Sequence, residues 1–529
     1  MASRRVVEIL SGSVALALIC AGAAAAAPAV AIATAPTLQA PAPVAAPQAS
    51  EALAAIEQPP SARVAVRGDV ARLRWRACPD PMAPTMQCAT FLVPVDYDKP
   101  TGRQSLLAVS RVPAIGKRKG SLFFNPGGPG GSGTTAISTL AARLPASVRA
   151  RFDIVTWDPR GVGATLPALN SCPGPNLVLP ASGIVDWPAA RSQAAASVKA
   201  ANEACQRNNA KYLGHVGTNN VVRDLDALRA AVGDKKLTYW GISYGTRVGY
   251  VYALRYPDRV RAIVLDGDVN PKGNYAALTQ SSVAPDLALQ FMSAHSPPNY
   301  NSIMATLDSF TANPVNLGGG LQFTRWDYLR AIYPVLKFEA AWPSVISVNE
   351  HLLTAQLDTP EGAAARERMR VLVNEPNESV GGVFSAVNCL DFADRMSATA
   401  QNAAIARYAA LAPIYGGELT AELAVDCTGL KFRPDPIPNT RSAANLARLA
   451  NLRVVMANAT NDAATPLAWA QQMRRSFGSG VLIKYRGTEH GLWMATPSTC
   501  VNNRITNYFV ALKMPKPVTC PFAPVAGVP

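Results

Sequence analysis

Gly241-Ile242-Ser243-Tyr244-Gly245 stands between an apolar run, Leu237 to Trp240, and a helix-like stretch, Thr246 to Arg255. A serine in such a strand–turn–helix setting sits on a tight corner where bulky flanking side chains do not fit. That corner exposes the hydroxyl beside a helix N-terminus. The chemistry this allows is acyl transfer, in which the serine oxygen attacks a carbonyl and is itself acylated. A serine hydroxyl is a weak nucleophile at neutral pH. It needs a base to take its proton and an acid to orient that base.

On elbows of this kind the acid and then the histidine follow the serine in the chain. The sequence has four histidines. His215 precedes the serine, and His295 and His351 fall in a helical block. His490 lies in Gly487-Thr488-Glu489-His490-Gly491, directly after a predicted strand. His490 is therefore the expected base. The acid is expected one helix and one strand earlier, at Asp462 after the run Leu452 to Ala457. Thr465 and Pro466 read as the cap and first turn of the next helix, which would hold the Asp462 loop rigid. The competing structural role for Asp462 is to cap that helix itself, and the competing acid is Glu489. The developing oxyanion needs two N–H donors. Tyr244 supplies one, and Gly128 the other, from Asn125-Pro126-Gly127-Gly128-Pro129-Gly130-Gly131-Ser132-Gly133. This loop lacks the lysine and spacing of a phosphate-cradling loop.

These residues must be carried by strands that end near one another. Ser105 to Val112, Gly120 to Asn125, Phe152 to Trp157, Val260 to Leu265, Leu452 to Ala457 and Gly480 to Tyr485 read as strands. Val221 to Val232 and Ile505 to Leu512 have helical spacing. Alternating strands and helices predict an α/β fold with a mostly parallel central sheet. From about Pro271 to Asn445 the alternation stops and the pattern is mostly helical. That block reads as a large lid inserted between two sheet strands, with an independent second domain as the alternative.

The whole chain has 529 residues, 49% of them hydrophobic, and a net charge of +15. The basic residues are scattered, with no run longer than Lys117-Arg118-Lys119. This reads as a solvated surface and predicts no nucleic-acid partner. Arg4 and Arg5, the apolar run Ile9 to Cys20 and the small residues Ala21 to Ala27 read as a secretory signal over 1–27. Export to the periplasm or medium is expected, with no stable membrane association after its removal. Residues 28–60 are Ala- and Pro-rich and are expected to form a flexible leader. Removing Cys20 leaves Cys78, Cys88, Cys172, Cys205, Cys389, Cys427, Cys500 and Cys520. An even number in an exported chain suggests disulfides. Pairing neighbours along the chain gives 78–88, 172–205, 389–427 and 500–520. The cysteines lack the spacing of a metal site, and neither a metal nor an organic cofactor is expected.

Taken together, the glycine loop, Trp157-Asp158-Pro159-Arg160-Gly161-Val162-Gly163, the serine elbow, Asp462 with Thr465-Pro466, and Glu489-His490-Gly491 resemble the exported bacterial tripeptidyl aminopeptidases. These belong to the proline-iminopeptidase-like serine peptidases of the α/β-hydrolase superfamily. The resemblance runs from about residue 70 to 520. Where proline iminopeptidases begin the oxyanion motif with histidine, this chain has Asn125-Pro126, which resembles the tripeptidyl branch. The resemblance implies a two-part hydrolase core, 61–271 and 446–529, around a helical insertion, 272–445. It also implies a C-terminal module over about 415–520. Ser243, Asp462 and His490 are then nucleophile, acid and base, and short peptides or single residues leave free N-termini. An exopeptidase must hold a protonated amine, for which a carboxylate in the insertion is suited. Glu339, Glu350, Glu375 and Asp391 are the candidates, with Asp391 favoured for its closeness to Cys389. A carboxylesterase acting on small esters needs no such residue and is the alternative. An inactive binding protein on this scaffold would have lost the serine, the histidine or the glycine loop, and all are present.

Overall fold

The computed structural model describes residues 73–78, 85–169, 172, 179–180, 185–374, 381–438 and 442–525. The expected signal and leader, and the candidate Glu375, lie outside them. Twelve strands are present among the described residues: β1 (Arg76–Ala77), β2 (Gln87–Pro94), β3 (Gln104–Val112), β4 (Gly120–Asn125), β5 (Phe152–Trp157), β6 (Leu237–Ile242), β7 (Val260–Asp266), β8 (Val315–Gly318), β9 (Leu321–Phe323), β10 (Val454–Ala459), β11 (Val481–Tyr485) and β12 (Val518–Cys520). Ten of them form one sheet in the order β1-β2-β3-β5-β4-β6-β7-β10-β11-β12. The pairs from β1 to β5 are antiparallel, and every pair from β5 to β12 is parallel.

Strands β4 and β5 are apolar and almost wholly buried, as parallel strands covered on both faces must be. Alternate residues feed opposite cores. Phe123, Val155 and Tyr239 pack against the helices Thr218–Ala231 and Tyr244–Arg255. Leu122, Ile154 and Trp240 pack against Gly133–Arg143 and Thr499–Ala511. Between β7 and β10 the described residues are mostly helical, with β8 and β9 as the strands among them, so the fold is an α/β sheet with a large helical insertion. The insertion has its own core, built from residues such as Phe310, Tyr328, Leu329 and Trp342. One long helix, Trp187–Leu213, joins the two regions. Its Ala190, Ala194 and Val198 lie in the insertion's core, while Cys205, Tyr212 and Leu213 lie in the sheet's core.

Four disulfides join Cys78 to Cys88, Cys172 to Cys205, Cys389 to Cys427 and Cys500 to Cys520. Among the described residues no helix is long and apolar enough to cross a membrane.

Candidate active site

Ser243 caps the corner between β6 and the helix Tyr244–Arg255 with φ 56° and ψ −122°. A non-glycine residue adopts such a conformation only where its surroundings hold it. Its amide donates to the Asp266 carbonyl at 3.0 Å, and its carbonyl accepts the Thr246 hydroxyl at 2.7 Å. The flanking glycines are required by contact. A Cβ on Gly241 would stand 2.3 Å from the Gly245 carbonyl oxygen, and one on Gly245 would stand 2.8 Å from that of Asn125.

The glycine loop lies against this corner. The Cβ position of Gly127 is 2.8 Å from Ser243 Cβ and 3.3 Å from the Tyr244 nitrogen. Asn125 Oδ1 accepts the Gly127 N–H at 3.0 Å, which fixes the turn just before Gly128. Tyr244 opens its helix, where intrahelical acceptors are missing. Asp158 ties down the far end of the loop. It accepts from the Ser132 hydroxyl at 2.8 Å, the Thr134 amide at 3.0 Å and the Ala164 amide at 2.9 Å. This organising role went unassigned at the level of sequence, although Asp158 belongs to a motif already singled out.

Asp462 is buried, and its carboxylate faces His490 with Nδ1 at 3.0 Å from each oxygen. It also accepts from the amides of Ala464 and Thr465, both at 2.8 Å, and from the Thr465 hydroxyl at 2.9 Å. The following helix, Leu467–Ser476, has Pro466 at its N-cap and no side-chain cap. Thr465 is therefore not the expected cap. Its hydroxyl is turned inward instead, toward Asp462 and within 3.3 Å of His490 Nδ1.

Two backbone approaches bring the serine and histidine loops side by side. The Cβ position of Gly267 is 3.1 Å from His490 Cε1, and that of Gly491 is 3.0 Å from Ile242 Cγ2. Asp266, at the end of β7, accepts the amides of Leu492 at 2.7 Å and Trp493 at 2.9 Å, holding the chain just after His490. Burial raises its carboxyl to about 6.

The candidate amine-binding carboxylates are placed otherwise than expected. Asp391 is buried and paired to Arg247 at 2.9 Å, and it accepts the Thr218 amide at 2.8 Å and hydroxyl at 2.5 Å. Glu339 is buried with one oxygen on the Thr488 amide at 2.7 Å and the other on the Tyr485 hydroxyl at 2.9 Å. Both carboxylates are consumed by internal donors, so neither is presented to a ligand amine. Sequence alone hid this because every partner of these two carboxylates lies more than a hundred residues away. Glu350 is exposed. Glu489, the competing acid, is buried with its carboxylate on the Glu339 amide at 2.8 Å, and so is turned to the insertion.

A serine on a strained elbow, a histidine–aspartate pair beside it and a glycine loop on an α/β sheet with a helical insertion define a serine hydrolase of α/β-hydrolase fold. Comparison with known proteins agrees. A family described as "alpha/beta hydrolase fold" matches residues 120–337, and one described as "TAP-like protein" matches residues 412–520. The chain is 32% identical over 463 residues to the serine protease Hip1 of Mycobacterium tuberculosis, covering 80% of this chain and 85% of that one. It is 28% identical to the tripeptidyl aminopeptidase of Streptomyces lividans, covering 87% and 88%. It is 29% identical to carboxylesterase B of Mycobacterium tuberculosis, covering 83% and 88%. The chain belongs to the α/β-hydrolase superfamily, among TAP-like relatives that include serine proteases and esterases.

Proposed function

We propose that this enzyme is an exported aminopeptidase that releases short peptides, tripeptides among them, from free N-termini through an acyl-enzyme on Ser243. The observation that carries the acyl-transfer reading is the Asp462–His490 pair, with Nδ1 held at 3.0 Å from both carboxylate oxygens beside the serine elbow. The peptide reading is supported by the relatives named as a serine protease and a tripeptidyl aminopeptidase, matched over most of their length. Export is supported by four disulfides, which persist in oxidising compartments.

In this mechanism Ser243 Oγ attacks the substrate carbonyl while His490 Nε2 takes its proton. Asp462 steadies the imidazolium through Nδ1. The N–H groups of Tyr244 and Gly128 receive the oxyanion. His490 then protonates the leaving amine, and water, activated by the same histidine, releases the acyl group. No cofactor takes part in these steps.

A second reading, a carboxylesterase for small esters, is favoured by one observation. Asp391 and Glu339 are both engaged internally, which removes two candidates for holding a substrate amine. Three chromogenic substrates separate the readings: a free-amine tripeptide anilide, its N-acetylated twin and a short acyl ester, with Ser243→Ala as blank. The aminopeptidase reading predicts cleavage of the free-amine anilide at least about tenfold faster than its twin, one decade being about 1.4 kcal/mol of transition-state discrimination. Cleavage of the ester alone would replace it with the esterase reading.

A further inference from the structure

The inserted helical region does more than cover the sheet, because three consecutive residues of the histidine loop are bonded to it. The Thr488 amide donates to Glu339 Oε1 at 2.7 Å. Glu489 Oε2 accepts the Glu339 amide at 2.8 Å. The His490 amide donates to the Lys337 carbonyl at 2.8 Å. Lys337 ends the helix Arg325–Lys337, and Glu339 opens the short turn that follows it. The Glu339 carboxyl is also threaded between this loop and the end of β11. Its second oxygen accepts the Tyr485 hydroxyl at 2.9 Å, and a Cβ on Gly487 would stand 2.3 Å from Oε1.

The acid loop hangs on the same segment. The Asn461 amide donates to the Gly487 carbonyl at 2.9 Å and the Ala463 amide to that of Thr488 at 3.4 Å, while the Tyr333 hydroxyl reaches the Ala463 carbonyl at 3.3 Å. A shift at Thr488 therefore moves the backbone that carries both Asp462 and His490. We propose that Glu339 is a positioning residue for the base, holding the Thr488–Glu489 backbone so that the His490 ring stands correctly toward Ser243 and Asp462. The catalytic site is then built jointly by the sheet and the insertion. This rests on the reading of His490 as the base.

A misplacement of about 1 Å in a catalytic group costs on the order of 100-fold in rate. Glu339→Ala removes both acceptors. It is expected to lower kcat per titrated active site by about 10- to 100-fold with KM within about threefold, because the Glu339 carboxylate is engaged internally and is not presented to a ligand. Glu339→Gln keeps an amide oxygen for the Thr488 N–H and is expected within about threefold of wild type. Tyr485→Phe removes the phenol bond to Glu339, together with that hydroxyl's longer contacts to the Ala523 backbone at 3.3 and 3.4 Å, and is expected to lower kcat by about 3- to 10-fold, which keeps the test open if Glu339→Ala does not fold. The measurement is steady-state kinetics on the best of the three chromogenic substrates, normalised by titration with a phosphonofluoridate. Wild-type kcat per titrated site in Glu339→Ala, or in Tyr485→Phe where the alanine variant is unfolded, would overturn the positioning role. Activity retained in His490→Ala would overturn the base assignment and the inference with it, so the two failures are told apart.

Discussion

At Ser243 the backbone bears a conformation that most residues avoid, and the neighbouring contacts explain how it is held. The amide is fixed to Asp266, the carbonyl to Thr246, and Gly127 presses against the side chain from the other strand end. Arg160, two residues beyond Asp158, is held in a similar way. Its guanidinium makes two bonds to Asp224, at 2.6 and 2.8 Å, and two to the carbonyls of Pro94 and Val95, both at 2.6 Å, with no exposure of either side chain in the pair. Removing one partner of a buried pair strands the other charge. Asp224→Ala is expected to cost about 3–5 kcal/mol in urea unfolding, with kcat of the remaining folded enzyme unchanged. A loss below about 1 kcal/mol would contradict the reading of Arg160 as a structural tie. The elbow of Ser243 and the pairing of Asp462 with His490 were legible in the sequence because the elbow, the chain order and the loop position constrain one another. The roles of Glu339 and Asp391 were not, since a carboxylate's burial depends on distant partners that no local pattern records.

At the scale of elements, the helix Tyr244–Arg255 ties the Ser243 elbow to the insertion. Arg247 lies one turn beyond Tyr244 and pairs with Asp391, the last residue of the inserted helix Gly381–Asp391. Asp391 holds Thr218 in turn, and Thr218 Oγ1 lies 2.8 Å from the Tyr244 hydroxyl. The residue expected to supply an oxyanion donor is thus braced from its far end. Arg247→Met removes one charge and leaves the carboxylate buried, and it is expected to cost about 3 kcal/mol of stability. An unchanged urea midpoint would contradict the clamp. Strands β4 to β7, β10 and β11 could be read as apolar runs. The helix Trp187–Leu213 could not, because its Ala-rich sequence has weak apolar periodicity and its packing is split between two cores. The β8–β9 hairpin was hidden for a different reason. Its strands are short and sit inside a helical stretch, with the glycines Gly318, Gly319 and Gly320 at the turn.

At the scale of the molecule, strand order is the part that no sequence pattern supplied. The reversal β3-β5-β4-β6 puts the glycine loop after β4 next to the serine elbow after β6, and β7, β10 and β11 follow outward in chain order. That order gathers Gly128, Tyr244, Ser243, Asp462 and His490 at one edge of a single sheet. The disulfide Cys389–Cys427 lies beside the Asp391 clamp and links two parts of the insertion, so covalent and ionic ties meet where the insertion joins the sheet.

The proposed mechanism requires Ser243 to be a nucleophile activated by His490. It is tested most directly by reacting the purified protein with a fluorophosphonate and mapping the adduct by mass spectrometry. A single adduct on Ser243 is expected, absent in Ser243→Ala and formed at least about 100-fold more slowly in His490→Ala, the contribution of a positioned general base. An adduct on another serine, or labelling of Ser243 at an undiminished rate without His490, would contradict the account.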